Sequence, residues 1–534
     1  MATLLHPGVY VQEVPSGARS IEGAATSTTI FVGETERGPL VPTRIKSRAD
    51  YQRLFGGYFR TRDGDPPGAP SRVLTAYAID AFYQNGGSSA YVLRAADPDE
   101  DEGIAVASQG SVLASSPGRW GGSVSVAFLA ASGAAPDAAS GSTPQRFRIA
   151  VVYESPEPGG ERRLVETWDR LSLDPGDENY VVDVLRRSLF IRWDETLPLE
   201  APQLDALGST PSNPTQRDIV DGATELTGGF GGGGELGPVD YGQLLADRLA
   251  DVDDAALLVA TCDALLADDA DYGQYVDQFI GFAENRPRRD LFFIGDLPRQ
   301  SDAVDPTSAT QGALAGLTEL NASNFTALYW PHVVAGDIVG AGRNPTITLP
   351  PSAFVAGLYA RTDGRRGVWK APAGTEATLN GTIALEHRLN DLHSDDLNPV
   401  GINALRLIPG AGRVVWGTRT MVPASEWRYV PVRRMAIFLR TSIYNGIQWA
   451  VFEPNDEPLW SSLRASINAF LESQFRNGAF AGRTSDEAYG VKVDADTTTE
   501  LDQAAGVVNI LVSFAPLRPA EFVVVHLSQK TQSA

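Results

Sequence analysis

Two runs of strand-forming residues lie at the extremities of the sequence, and they restrict what the chain can fold into more than any other feature. Near the start, Val9, Tyr10, Val11, Gln12, Glu13 and Val14 sit between Pro7-Gly8 and Pro15-Ser16-Gly17, and near the finish residues 522–527 follow Pro516 and Pro519. Alternation along a strand places Val9 and Val11 on one face of the first run and Tyr10 and Val14 on the other, so both faces need cover. An unpaired strand edge is a liability for a chain on its own. Placing one at each end makes sense if other copies complete the sheet.

What lies between is long enough for a large core. With 534 residues and roughly 150 per domain, about three or four domains are expected. Apolar residues at 43% and charged residues at 21% argue against wholesale disorder and fibrous repeats. The one cysteine, Cys262, excludes an intramolecular disulfide framework and a Cys-rich zinc site, so packing must hold the fold. A net charge of −22 argues against a nucleic-acid backbone as the main partner. The first residues lack a cationic stretch followed by an apolar one, and no window of about 18 apolar residues occurs, so synthesis in the cytoplasm without membrane insertion is expected.

Periodicity divides the body further. Residues 28–33 read as a buried strand, 71–85 as a helix stopped by Gly86-Gly87, and 88–93 as a second strand, an α/β unit. The acidic run 97–102 marks a boundary. Short strand candidates at 123–129, 146–153, 163–168 and 188–193 predict an inserted β-sandwich or barrel. After the glycine run 228–234, α/β alternation resumes: a helix at 241–249, a strand at 256–260, a helix at 272–285 and strands at 291–294 and 327–330. A smaller α+β unit follows, with apolar runs at 413–416 and 435–439 and a helix over 460–477 ended by Gly478. Leu463, Ile467, Phe470, Leu471 and Phe475 form its apolar stripe, which leaves Arg464, Glu472 and Arg476 for solvent or a partner. Residues 507–514 and 522–527 read as closing strands.

No catalytic constellation is legible. A Ser–His–Asp triad needs a base within hydrogen-bond reach, and the five histidines are His6, His332, His387, His393 and His526, of which the first and last sit in the arms. No G-x-S-x-G elbow occurs. His387 and His393, with Glu386, Asp391, Asp395 and Asp396, form the most metal-like cluster, yet histidines six apart do not share a helical face, and a solvated or structural role is favoured. The glycine run ends in Glu235 rather than Lys-Ser/Thr, so a hinge is a better reading than a phosphate loop. Asp251, Asp253, Asp254 and Asp263 flank a strand without the spacing of a calcium loop, and Cys262 reads as a packing thiol. The expectation is no catalytic residue, no cofactor and no metal.

Five segments in order resemble the tail sheath proteins of contractile bacteriophage tails and related injection systems. They are PGVYVQEV with FVGETERGPLVPTRIKSRADYQRLFGG and AIDAFYQNGGSSAYVLR; LADVDDAALLVATCD; PPSAFVAGLYARTDGRRGVWKAPAG; INALRLIPGAGRVVWGTRT; and RTSIYNGIQWAVFEPNDEPLWSSLRASINAFLESQFRNGAF. The resemblance implies a subtilisin-like α/β core without its triad, carrying an inserted β-sandwich-like domain, a carboxyl-terminal α+β assembly domain and extended strand arms. The corresponding divisions are residues 1–20 for the amino arm, 21–98 with 221–395 for the core, 99–220 for an outward-facing insert, 396–515 for the assembly domain and 516–534 for the last strand. Residues 103–220 match least well.

The resemblance further implies a helical homo-oligomer of stacked rings around an inner tube protein, ended by baseplate and cap proteins, that contracts from a metastable extended state to drive the tube through a target envelope. Strand exchange between copies would then use Val9, Tyr10, Val11 and Val14, with Val507, Ile510, Val512, Phe522, Val523 and Val525. Arg464, Arg476 and Arg483 are the candidates for a salt-sensitive contact with the tube. A subtilisin-like or metal-dependent hydrolase and a static shell or surface-layer protein are the alternatives at this point.

Overall fold

The computed structural model describes residues 19–60, 71–96, 106–107, 111–132, 146–194, 214–227, 236–262 and 272–526. The expected arm strand with Val9, Tyr10, Val11 and Val14, the glycine run, Asp263 and His6 lie outside them. The chain divides into two compact units: a larger one of residues 26–361 and 372–428, and a smaller one of residues 1–25, 362–371 and 429–534.

Six parallel strands form the centre of the larger unit, in the order Ala90–Arg94, Thr29–Gly33, Leu257–Ala260, Phe292–Asp296, Thr326–Trp330 and Ile402–Ile408. Antiparallel edges close the sheet, Thr43–Ile45 beside the first strand and Gly412–Val415 beside the last. Every residue of Thr29–Gly33, Phe292–Asp296 and Thr326–Trp330 is buried, as expected for parallel strands covered on both faces. Helices Leu74–Gln84, Pro238–Leu249, Tyr272–Asn285 and Pro306–Leu317 belong to the same unit. Phe279 stacks on Phe293 at 5.5 Å, tying the third of these helices to the sheet. Gly33 sits so close to the neighbouring strand that a Cβ would lie 2.4 Å from the Thr261 carbonyl oxygen, which only glycine avoids.

Between Arg94 and the helix starting at Pro238 lies a second sheet of seven antiparallel strands. Its order is Arg162–Leu171, Phe147–Glu154, Val124–Ala130, Thr224–Thr227, Val106–Ala107, Val112–Ala114 and Ile191–Trp193. One face carries Trp120, Phe147, Ile149, Val151 and Trp193, while Ala127, Leu129, Ala150 and Val152 pack with Ile219. Buried charges sit where the second sheet meets the first: the Arg94 guanidinium donates to Gly38 O, Ser116 Oγ and Pro117 O, and the Tyr153 hydroxyl donates to Glu36. Burial pushes the Glu36 carboxyl up, against the Tyr153 and Gly57 hydrogen bonds that favour its charge.

The smaller unit is built on helices Val430–Gly446 and Glu457–Arg476 and the antiparallel pair Tyr489–Lys492 and Leu511–Phe514. Residues 435–439, an apolar run by sequence, lie inside the first helix, where Met435 and Leu439 face the core beside Ile467 and Phe470. Asp456 caps the second helix by accepting from Leu459 N–H, and Gly478, at φ 78°, ends it. The closing strand is shorter than the sequence suggests. It begins at Leu511, and Val507 lies before it, its N–H bonded to Asp502 O after the short helix Glu500–Ala504.

A buried ion pair ties residue 363 into this unit. Both Arg434 guanidinium branches donate to Asp363, at 3.0 and 2.6 Å, and both side chains are almost fully buried. Asp363→Ala strands that guanidinium, so the urea or thermal midpoint should fall by the equivalent of about 3–5 kcal/mol. The paired change Asp363→Leu with Arg434→Met should cost much less. Equal losses from the single and the paired change would refute this account.

Candidate assembly interface

Among the described residues, the carboxyl-terminal segment 517–526 of the small unit joins no strand. An isolated bridge joins Phe480 and Pro516, after which residues 517–526 carry neither helix nor strand. Phe522, Val523, Val524 and Val525 form no strand and are between 72% and 81% exposed. Four consecutive large apolar side chains in water, on a backbone that forms no backbone hydrogen bond among the described residues, form a surface suited to pairing. Just before them, the Tyr429 hydroxyl donates to Glu521 at 3.3 Å and holds the segment's root.

The amino segment is rooted on the same unit. Arg19 N–H donates to Ser466 Oγ at 2.9 Å, its guanidinium lies 4.4 Å over the Trp449 ring, and Ala24 N–H donates to Ser442 Oγ at 2.9 Å. Ile21 is buried against Gly446, where any larger residue would put its Cβ 2.6 Å from an Ile21 methyl carbon. Serines at 442 and 466 on facing helices are thus anchor points for incoming backbone. Sequence pattern alone reads them as ordinary small helix residues.

The two-stranded sheet between these roots has one covered face. Val491, Ile510, Val512 and Phe514 pack against the helices, whereas Leu511 is exposed. Val512 is one of the candidate linking residues that lies in a strand, and it pairs with Val491. Ile510 is half-buried just outside that strand and Val507 is exposed. Glu472 pins the sheet to its helix, accepting from the Tyr489 hydroxyl at 3.0 Å and from Arg476 Nε at 2.9 Å. Those bonds hold its carboxyl below the usual range, and partial burial pushes the Tyr489 phenol up to about 12.

The three arginines differ in how committed they are. Arg464 donates to Val493 O at 2.6 Å and reaches Glu457, so it serves the unit's own packing. Arg476 is exposed but paired with Glu472 one turn away. The Arg483 backbone N–H caps onto Glu487, and its guanidinium has no ion-pair partner among the described residues.

The metal-like cluster of the sequence is dispersed in the larger unit. Glu386 pairs with Arg299 at 2.6 Å, Asp391 pairs with Arg406 at 2.8 Å, and His387 stacks on Trp330 with Nε2 3.1 Å from Gln300 O. His393 accepts from Asn390 N–H at 3.2 Å in a helix cap. Asp254 bonds Arg44 and Tyr91, and Asp253 bonds Arg288. Among the described residues no group of three His, Cys, Asp or Glu side chains is placed to hold a metal. His332 is buried with neither ring nitrogen bonded, and desolvation lowers its pKa to about 3.

A carboxylate also lies at the end of a central strand. Asp296 accepts from Ser352 N–H at 2.7 Å at the start of helix Ser352–Arg366, and the Tyr272 hydroxyl donates to the Asp296 carbonyl oxygen. A small cleft beside Ser352 is lined chiefly by apolar residues such as Leu74, Leu349 and Phe354. Complete burial pushes the Asp296 carboxyl up to about 7. His387 and His393 bond Gln300, Asn390 and Thr307 rather than this pair, and the geometry is that of a buried helix cap.

With the geometry in place, comparison with known proteins identifies the class. The profile of the phage tail sheath protein central domain matches residues 261–421, and that of the phage tail sheath C-terminal domain matches residues 423–530. The tail sheath protein of Vibrio phage KVP40 is 34% identical over 125 residues, which make up 23% of this chain and 19% of that protein. A putative prophage major tail sheath protein of Pseudomonas aeruginosa is 26% identical over 185 residues, 34% of this chain and 46% of that protein. The matched stretches therefore span less than half of these relatives' own lengths.

Solved structures extend the likeness of fold to nearly the whole chain. The helical sheath of the anti-feeding prophage in its contracted state aligns with a TM-score of 0.56 at 23% identity, covering 99% of this chain and 100% of that one. The crystal structure of a sheath tail protein from Listeria innocua aligns at 0.55 and 13% identity, covering 94% and 97%. The chain belongs to the phage tail sheath family.

The raised Asp296 pKa fixes the sign of a pH effect. The unfolded carboxyl loses its proton near pH 4 and the folded one near 7, so the folded state binds the extra proton between them, and stability from this group falls as pH rises across that interval. Relative to Asp296→Asn, which keeps an acceptor oxygen, wild-type stability should drop by about 4 kcal/mol between pH 4 and pH 7 and then level off. Urea titrations across pH check this, and a constant difference between the two proteins would rule it out.

Proposed function

We propose that the chain is the structural subunit of a contractile tail sheath, working as a mechanical element without catalytic turnover. The observation that carries this reading is the solvent-exposed run Phe522–Val525, rooted on the same small unit as the amino segment at Arg19, in a chain of the sheath family. Copies would be joined when those segments, with Val9, Tyr10, Val11 and Val14, add to the sheet of another copy beside Ile510 and Val512. Each added strand contributes a handful of backbone hydrogen bonds at roughly 0.5–1.5 kcal/mol net apiece.

Contacts of this head-to-tail kind that do not close generate an open helix. The sheath would stack around an inner tube and end at baseplate and cap proteins. Contraction would be a change between two packings of stiff units, with the chain ends as tethers, starting from a metastable extended state. Arg483 is the uncommitted member of the three arginine candidates for the tube contact, with Arg476 second. The subtilisin-like character of the core remains a matter of fold, and the larger unit's carboxylates and histidines favour no hydrolase. Among the described residues no helix is long and apolar enough to cross a membrane.

Removing residues 1–18 keeps the Arg19 and Ile21 anchors. The truncated chain should keep the melting temperature of the full chain yet form no connected tubes by electron microscopy. Tubes indistinguishable from wild type would sink the linkage.

A further inference from the structure

The turn between the two helices of the small unit carries the most exposed aromatic side chain of the described residues. Phe452 is fully exposed, Val451 beside it is 58% exposed, and Phe452 adopts φ +70°, a backbone region that bulky residues avoid. The turn is nonetheless firmly held. Ala450 N–H bonds Ile447 O, Glu453 N–H bonds Ala450 O, and Asn455 is fixed between Val507 O at 3.0 Å and the Trp460 indole N–H at 2.9 Å. Both the strain and the exposure are unfavourable, and a rigid turn that keeps both presents the ring to something outside the chain.

Charge indicates what that is. Glu453, next to the ring, is exposed and has no ion-pair partner among the described residues. The same unit holds a surface of matching character: Leu517 and Phe522–Val525 are exposed apolar groups, and Arg518 among them is exposed and likewise without an ion-pair partner among the described residues. In its own chain this segment does not cover Phe452, since both remain in solvent.

We propose that the Phe452 turn of one copy docks on residues 517–525 of a second copy, with the ring against the apolar run and Glu453 facing Arg518. This rests on the reading that copies are joined through their chain ends, and it assigns a side-chain lock to that joint in addition to backbone pairing. The contact uses different surfaces on the two copies, so it can repeat from copy to copy around a ring or along an open helix.

Full-length proteins are compared by sedimentation and electron microscopy, together with a chain lacking residues 517–534. Phe452→Asn removes the ring and suits the left-handed backbone. It should melt at or above the wild-type temperature while raising the critical concentration for assembly at least about tenfold. Glu453→Arg and Arg518→Glu should each weaken assembly, and the double exchange should return it to within about twofold of wild type. Wild-type assembly by Phe452→Asn, or a double exchange no better than either single one, overturns the docking. If the truncated chain fails to assemble while Phe452→Asn assembles normally, the lock is wrong and the linkage stands; if the truncated chain assembles normally, both are wrong.

Discussion

Backbone N–H and C=O groups have to be hydrogen-bonded, and the molecule is organised around where they are and are not. Within the larger unit six parallel strands satisfy one another, and short antiparallel strands seal both margins of the sheet. At the carboxyl end the arrangement is reversed: Phe522–Val525 lies in no strand among the described residues and offers apolar side chains to the surroundings.

The second sheet shows how this fold treats an edge it does not use. Strand Arg162–Leu171 lies at the margin, is broken by register shifts at Leu164/Glu166 and Trp168/Leu171, and carries Arg170 at φ 57°. Its exposed positions include Arg163 and Thr167. Bulges and charge of this kind discourage pairing with another chain. The terminal run has no such protection across Phe522, Val523, Val524 and Val525. One margin is thus broken and charged, whereas the chain end exposes an unbroken apolar run.

Much of the core was legible because its elements are long or strongly apolar. The helix at Tyr272–Asn285 and the strands around Ile30, Val259 and Ile294 stand where periodicity puts them. Residues 435–439 were harder, since a short apolar run is common to strands and buried helices, and it took packing against Ile467 and Phe470 to decide. The strand expected over 507–514 shrank to Leu511–Phe514 because Val507 N–H bonds Asp502 O and Asn509 N–H bonds Thr498 Oγ1, which ties the backbone before Leu511 to the short helix Glu500–Ala504 instead of to a neighbouring strand. The roots of the interface were illegible for another reason. Ser442 and Ser466 meet residues more than four hundred positions away, and no local pattern records such a meeting. The same holds for Glu472, whose stabilised charge depends on Tyr489 from a later strand.

The small unit is assembled from three separated stretches: the residues up to 25, residues 362–371, and everything from 429 onward. Ile21 fills the space at Gly446 and Asp363 neutralises Arg434, so the helix Val430–Gly446 is incomplete without chain contributed from elsewhere. Grafting a foreign tail onto this protein at residue 429 would therefore transplant a pocket without its plug and a cation without its counter-charge. An exchange with a relative that carries over only one of the three patches would leave the carboxyl-terminal unit hollowed, so the three stretches act as one piece despite being written apart.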